Sequence, residues 1–173
     1  MRSVLKNYIL QLKEIQQGKP WIGSSYESKL ERLDESMVFV QSIEGMHSIA
    51  EIFSHCTFWR QEALLKIKTG KGSKKDSFEE NWEQIRKLKT KGWKTIKLEY
   101  KESLTELLKI LEQKNDNFLD QKYYDTDFEG TYPYRFLIEG MLHHDIYHLG
   151  QLGIIIKYLK YSIIDLAQPQ NQK

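Results

Sequence analysis

Apolar residues recur every three or four positions along most of this chain, a spacing typical of helices that bury one face. The pattern predicts four long helices, at about residues 5–17, 48–69, 93–112 and 133–160, and a short helix near residues 25–33. Ser48 and Glu51 form a capping box at the start of the second long helix, and Gly70 follows its end. Pro133 suits the first position of the last helix. The chain is therefore predicted to be all-α, built as a four-helix bundle.

The segments between these helices are the least regular parts of the sequence. Roughly 30 residues join the first long helix to the second, and residues 70–92 join the second to the third. Connections of this length depart from a plain up-down-up-down order. No strand–turn–strand pattern stands out, and residues 123–130 are predicted to form a polar, aromatic loop.

Length and charge narrow the class of protein further. The 173 residues suffice for one well-packed domain, predicted over residues 1–166, with a frayed tail at 167–173. The net charge of +2 is too small to favour binding to nucleic acid or to an anionic membrane. A single cysteine, Cys56, allows no internal disulfide and fits a reducing cytoplasm. Since no run of about 20 apolar residues is present, no membrane-spanning segment is expected.

His144 and His148 carry the strongest chemical signal in the sequence. They are four residues apart in a predicted helix, so both imidazoles project from one face, and Gln151 follows on the same face. Two imidazoles one turn apart can bind one divalent ion. The same pair also fits buried, hydrogen-bonding histidines or a polar seam in a dimer interface.

His55 is the best candidate for a third ligand. It lies in the middle of the second long helix, among apolar residues where an unpaired imidazole is costly. Three histidines leave a coordination position open for water, as in catalytic metal sites. A lone histidine on an apolar face is also common as a satisfied core residue. His143 points about 100° away from His144 and cannot share its face, and His47 is expected to cap its helix or to be exposed.

Other side chains near these histidines each have two interpretations. Gln151 is expected either to orient an imidazole or a bound water, or to make a simple interhelical hydrogen bond. Asp145 is a candidate for support of the metal ligands, or a surface or salt-bridging residue. Tyr147 is a packing residue or a hydroxyl behind the ligands, and Cys56 is a small buried residue. Four aromatic residues could line a substrate pocket, although packing is the commoner role for each of them: Trp21, Trp59, Tyr123 and Tyr134.

Together these segments resemble the DinB/YfiT-like family of metal-dependent enzymes. The resemblance rests on residues 47–59 (HSIAEIFSHCTFW), residues 143–152 (HHDIYHLGQL) and the loop at 20–23 (PWIG), and it spans about residues 5–160. In that family a histidine of the second helix and an H-x-x-x-H pair of the last helix bind one metal. The residues that correspond to them are His55, His144 and His148.

The resemblance implies an up-down-down-up bundle, commonly a homodimer, that binds nickel, zinc or a similar divalent ion at one end of the core. Family members of known activity include S-transferases that use bacillithiol or mycothiol, and a maleylpyruvate isomerase. The expected function is therefore that of a metal-dependent S-transferase or hydrolase that activates a low-molecular-weight thiol or water against a small electrophilic molecule. The alternatives are a non-catalytic dimeric bundle that holds a metal or ligand, and a purely structural bundle. Residues 18–46 and 70–92 are expected to select the substrate.

Overall fold

The computed structural model describes residues 3–31 and 33–167, with side chains described up to residue 160. Most of these residues are helical. The helices are α1 (Val4–Gln17), α2 (Tyr26–Leu30), α3 (Ile49–Thr69), α4 (Ile85–Lys91), α5 (Trp93–Glu112) and α6 (Tyr134–Ala167). Short 3-10 helices lie at Glu35–Met37, Glu79–Trp82 and Asp116–Asp120. An antiparallel hairpin of β1 (Lys122–Asp125) and β2 (Gly130–Pro133) precedes α6.

The four predicted long helices correspond to α1, α3, α5 and α6. Ser48 and Glu51 form the expected capping box at the start of α3. Gly70 follows α3 in the left-handed conformation, with φ at 76°, which glycine adopts without strain. Helix α6 is longer than predicted and includes Ala167. The rest of the predicted tail, residues 168–173, lies outside the described residues, and the domain bounds stay a prediction.

The hairpin corrects two predictions, the all-α class and the loop at residues 123–130. Strand β1 buries alternate residues, Tyr123 and Asp125, and Pro133 ends β2 instead of beginning the helix. The alternation is hidden in the sequence because one of the two buried residues is a charged aspartate. Asp125 tolerates burial because Lys66 of α3 pairs with it, at 2.8 Å between Nζ and Oδ2. The protein is therefore mostly helical with one small sheet.

The long helices pack around one apolar core. Helix α3 contacts both α5 and α6, and α1 contacts the same two helices. Each of the four contributes apolar side chains with almost no exposed surface, such as Leu12, Ile52, Leu107 and Leu152. This packing brings the middle of α3 next to the middle of α6, where the predicted metal ligands lie. No helix within residues 3–31 and 33–167 has both the length and the apolar character that a bilayer crossing requires.

A buried ionic cluster holds the hairpin against α3. The Lys66 ammonium group lies 2.8 Å from Asp125 and 3.6 Å from Glu62, and all three side chains are buried. Next to them, the Gly72 backbone N–H donates to the carbonyl of Tyr124 at 2.9 Å. The chain that leaves α3 is thereby fixed to β1 before it turns towards the 3-10 helix at Glu79–Trp82.

Replacing Gly72 by alanine tests this packing. The new methyl group would lie 2.5 Å from Oε1 of Glu62 and 2.6 Å from Cε of Lys66. Because both side chains are buried and bonded, we expect a loss of about 1–3 kcal/mol in the free energy of unfolding, measured by urea denaturation.

Gly153→Ala is the matched control. Its methyl group would meet only the end of the Lys29 side chain, which is flexible. Since Gly153 lies inside α6, this change should stabilise the helix by up to about 1 kcal/mol. Equal effects of the two variants would show that the cluster beside Gly72 is not tightly packed.

Candidate metal centre

The structure brings His55, His144 and His148 together. His55 lies in the middle of α3, and His144 and His148 lie one turn apart on α6, as their spacing predicts. Nε2 of His144 is 2.9 Å from Nε2 of His55 and 3.1 Å from Nε2 of His148. His55 and His148 are buried, and His144 is partly exposed. The nitrogen atoms of all three rings fall within 4.8 Å of one another.

Hydrogen bonds on the far side of two rings set where their protons lie. Nδ1 of His55 is 3.0 Å from the backbone carbonyl of Asn81, and Nδ1 of His148 is 2.7 Å from Oε1 of Gln151. Both partners are acceptors, so each Nδ1 carries the ring proton and each Nε2 carries a lone pair. Burial lowers the pKa of His55 to about 3 and that of His148 to about 4, so both rings are neutral at pH 7.

This donor set fits a late divalent ion such as zinc or nickel. Metal–imidazole bonds of about 2.0–2.1 Å in a tetrahedral site place the nitrogen atoms about 3.3 Å apart. The two Nε2 separations at His144 are within a few tenths of an ångström of that value. Three imidazoles without a fourth protein ligand leave one position for water or a substrate.

The 3-10 helix at Glu79–Trp82 supports His55 in a way that the sequence did not indicate. The Trp82 ring stacks on His55, with ring centroids 3.8 Å apart and ring planes within 4°. His47 stacks on the other face of Trp82 at 3.5 Å, and its Nδ1 lies 3.4 Å from Glu51. Together with the Asn81 carbonyl, this stack fixes the plane and the tautomer of His55. His143 is exposed and points away from the other three, as predicted.

Asp145 is a fully buried, salt-bridging residue, so its interpretation as a surface residue is wrong. Its Oδ2 lies 2.7 Å from Nη2 of Arg60 and accepts from Nε2 of Gln16 at 3.1 Å. Burial alone would raise the pKa of this carboxyl group, but the Arg60 guanidinium holds it below the ordinary value.

Cys56 lies near this pair and His144. Burial raises the pKa of its thiol to about 12, which fits the prediction of a small buried residue rather than a ligand.

Gln151 and Tyr147 form a chain behind His148. Gln151 accepts from the His148 ring through Oε1, and its Nε2 donates to the Tyr147 hydroxyl at 2.9 Å. Gln151 therefore orients an imidazole, as one of its two interpretations predicted. The Tyr147 ring is mostly exposed, so it is not a core packing residue.

A cavity of about 580 Å³ opens beside the histidines. Its walls are largely apolar, formed by Trp59, Trp82, Tyr123, Phe128, Phe136, Leu137, Met141 and Tyr147. Trp59 and Tyr123 thus line it as predicted. Tyr134 packs on Phe118 in the core, which agrees with its packing interpretation, and Trp21 is fully exposed, so neither lines the cavity. Residues 70–92 contribute to the lining, whereas the described part of residues 18–46 does not.

The lowered pKa values predict how stability depends on pH. Histidine in the unfolded chain has a pKa of about 6.5, so on acidification the unfolded state takes up protons before His55 and His148 do. Their contribution is complete above pH 6.5 and is lost as the pH falls towards 4 and 3. With chelator present, we expect the free energy of unfolding to drop by about 2 kcal/mol between pH 6.5 and 5.5.

Two variants serve as references for this pH dependence of the free energy of unfolding, which is measured by urea denaturation. His148→Gln should reduce the pH-dependent loss by about half. His143→Ala removes an exposed histidine and should leave the loss unchanged. If His148→Gln has the same pH dependence as the wild type, the ring of His148 is not held neutral by the fold.

Comparison with known proteins agrees with this geometry. The family model described as the DinB superfamily matches residues 24–152, a segment that contains all three histidines. A search of curated proteins and of solved structures found no match. Since the match covers well over half of the sequence, the chain belongs to the DinB superfamily.

Proposed function

We propose that the protein is a metal-dependent enzyme in which His55, His144 and His148 hold one zinc or nickel ion beside the substrate cavity. The observation that supports this best is the meeting of three Nε2 atoms at the wall of an apolar cavity. A divalent ion held there lowers the pKa of a bound water or thiol and so supplies a nucleophile near neutral pH. The proposal includes the up-down-down-up order of the long helices and a cytoplasmic location, which suits the buried, unpaired Cys56.

The cavity favours a small and mostly apolar electrophile. Its size is in the range of ordinary ligand pockets. The charged residues of its lining are one lysine, Lys66, and three aspartates, Asp76, Asp125 and Asp127. Because Lys66 is already paired with Asp125 and Glu62, it offers no free positive charge to an anionic substrate. Away from the proposed ion, whose own charge attracts anionic groups, the lining therefore suits a neutral or cationic part of the substrate better than an acidic one.

The chain's own residues would bind and orient this substrate. In an S-transfer, the thiol loses its proton, its sulfur bonds to the electrophilic carbon, and the leaving group departs with the bonding electrons. In a hydrolysis, water takes the place of the thiol. The Tyr147 hydroxyl lies at the cavity and accepts a hydrogen bond from Gln151, so its own proton is available to a leaving group or carbonyl oxygen.

One face of α6 supports a homodimer. Between residues 136 and 154 none of its exposed residues carries a formal charge, although charged residues make up 29% of the sequence. The Arg135 side chain, 40% exposed, and the exposed Lys157 lie at the two ends of this stretch. Six of the exposed residues within it lie four and three residues apart, as in a coiled-coil seam: Phe136, Gly140, His143, Tyr147, Gly150 and Ile154. Such an uncharged face is unusual on a helix that only meets water.

The α6 face is complementary to itself. If two copies pair antiparallel about the midpoint between His143 and Tyr147, Gly140 lies opposite the partner's Gly150. Each bulky residue of the seam then lies opposite another bulky residue. Phe136, Gly140 and Tyr147 also line the cavity, so the second copy would cover its mouth.

The metal site is tested by metal content and activity. Protein purified without a tag or chelator should contain about one zinc or nickel ion per chain, and a His144→Ala/His148→Ala variant should contain none. The loaded wild type should turn over thiol-conjugation substrates or activated esters, and the variant should not. His143→Ala is the matched control and should keep the metal, because His143 is exposed and points away from the other three.

The two other outcomes are distinct. Metal in the wild type without turnover of either substrate class would favour a non-catalytic metal-binding bundle. No metal in any form, even after reloading, would contradict the proposed site.

The dimer is tested by molar mass from light scattering. The wild type should run at twice the mass of one chain, and Ile154→Glu should run as a monomer, because a charge in the apolar seam is costly. Leu98→Glu on α5 is the control, since Leu98 is 54% exposed and Ile154 is 53% exposed. A monomeric wild type, or equal behaviour of the two variants, would contradict pairing through α6.

A further inference from the structure

His144 differs from the other two histidines in the partner of its Nδ1. The rings of His55 and His148 both donate from Nδ1 to an acceptor. Nδ1 of His144 is buried and has no hydrogen-bond partner among the described residues. It faces Oδ1 of Asp145 at 3.9 Å, too far for a hydrogen bond.

Oδ1 of Asp145 also lacks a hydrogen-bond partner within the described part of the chain, and it is buried. The other carboxylate oxygen, Oδ2, accepts from Nη2 of Arg60 and from Nε2 of Gln16. Native structures seldom leave two such atoms without partners, and two that face each other call for an explanation.

The proton on His144 supplies that explanation. His55 and His148 carry their protons on Nδ1, so neither can donate across the contacts of 2.9 and 3.1 Å with His144. A neutral imidazole has one ring proton, and in the neutral ring either contact is a hydrogen bond only when His144 carries that proton on Nε2. Its Nδ1 then presents a lone pair to the Asp145 carboxylate. Because both atoms are hydrogen-bond acceptors, no hydrogen bond forms between them, and they remain 3.9 Å apart.

We propose that Asp145, held by Arg60, is the positioning residue for His144 in the metal-loaded protein. A metal bond to Nε2 of His144 requires the ring proton to be on Nδ1, where Oδ1 of Asp145 is the acceptor that faces it. The two atoms then need to approach by about 1 Å to form a charge-assisted hydrogen bond. This inference rests on the proposed metal site but assigns to Asp145 a role that the site itself does not require.

The surroundings of Asp145 suit this role because they leave the carboxylate little freedom. Arg60 donates to Oδ2 of Asp145 and also to the Tyr100 hydroxyl, at 2.7 and 3.1 Å. The Tyr100 hydroxyl in turn donates to Oε1 of Gln16 at 2.5 Å. Four helices, α1, α3, α5 and α6, thus fix one oxygen of Asp145 and leave the other for His144. A partner fixed in this way orients a metal-bound imidazole and increases its basicity.

Asp145→Asn is the test variant. An asparagine has one side-chain oxygen, which cannot serve both Arg60 and His144. We expect its zinc dissociation constant, measured by competition with a chromophoric chelator, to rise about 10–100-fold over the wild type. Tyr100→Phe is the matched control, because it removes a hydroxyl from the same network and leaves Asp145 and Arg60 in place. It should lower thermal stability while its zinc affinity stays within about threefold of the wild type.

A second readout follows the proton itself and needs no variant. In protein labelled with ¹⁵N-histidine, addition of zinc should move the His144 ring proton from Nε2 to Nδ1, while His55 and His148 keep theirs on Nδ1. Ligation through Nε2 already places the proton on Nδ1, so the evidence for Asp145 is an Nδ1 proton that resonates far downfield and exchanges slowly with water, as in a hydrogen bond to a carboxylate. If Asp145→Asn fails to fold, the spectrum of the wild type decides.

The outcomes separate this inference from the proposed function. If the wild type binds zinc, and Asp145→Asn and Tyr100→Phe bind it with equal affinity, then Asp145 does not position His144. That result would not contradict the metal site itself. Zinc-loaded wild type in which the Nδ1 proton of His144 has no downfield shift and exchanges rapidly with water would also overturn the role of Asp145. Failure of the wild type to bind zinc or nickel would overturn the metal site and this role together.

Discussion

The ion pair between Arg60 and Asp145 is the interaction on which the rest of the structure depends. Both side chains are fully buried, and the Arg60 guanidinium also lies 4.1 Å over the Tyr100 ring. Removing two charges from water is costly, and only good geometry with further hydrogen bonds offsets the cost. Loss of one partner from such a pair typically costs about 3–5 kcal/mol. Because Asp145 follows His144 directly in the chain, the contact that joins four helices also fixes where the α6 histidines point.

Local spacing explains why much of the fold and the grouping of the three histidines could be predicted from the sequence. The helical period sets which residues are buried, and the capping box at Ser48 marks the start of α3 without any tertiary contact. The separation of four between His144 and His148 fixes their common face whatever surrounds them. The prediction of His55 as the third ligand depended in addition on the resemblance to the family, because a single histidine forms no spacing pattern with another ligand.

The parts that could not be predicted depend on contacts between distant residues. Arg60 and Asp145 are 85 positions apart, and the residues that flank each of them in the sequence do not indicate that the two side chains meet. The same holds for the Asn81 carbonyl at His55 and for Lys66, whose charge lets Asp125 face inwards and so hides the strand. Trp21 is a candidate for the pocket in the sequence but is exposed in the structure. An aromatic residue in a loop is as compatible with exposure as with a pocket, so the sequence does not distinguish the two.

The order of the ligands along the chain has a consequence for the assembly of the site during synthesis. His55 is 89 residues ahead of His144, and both α6 ligands, together with Asp145, come near the end of the matched segment. Closing a loop of that length is slow relative to local helix formation. A nascent chain that already contains α1, α3 and α5 has only one of the three site histidines, His55. Under the proposed function, metal capture would therefore be a late event in biogenesis, and the ion would be selected by a bundle that is already nearly folded.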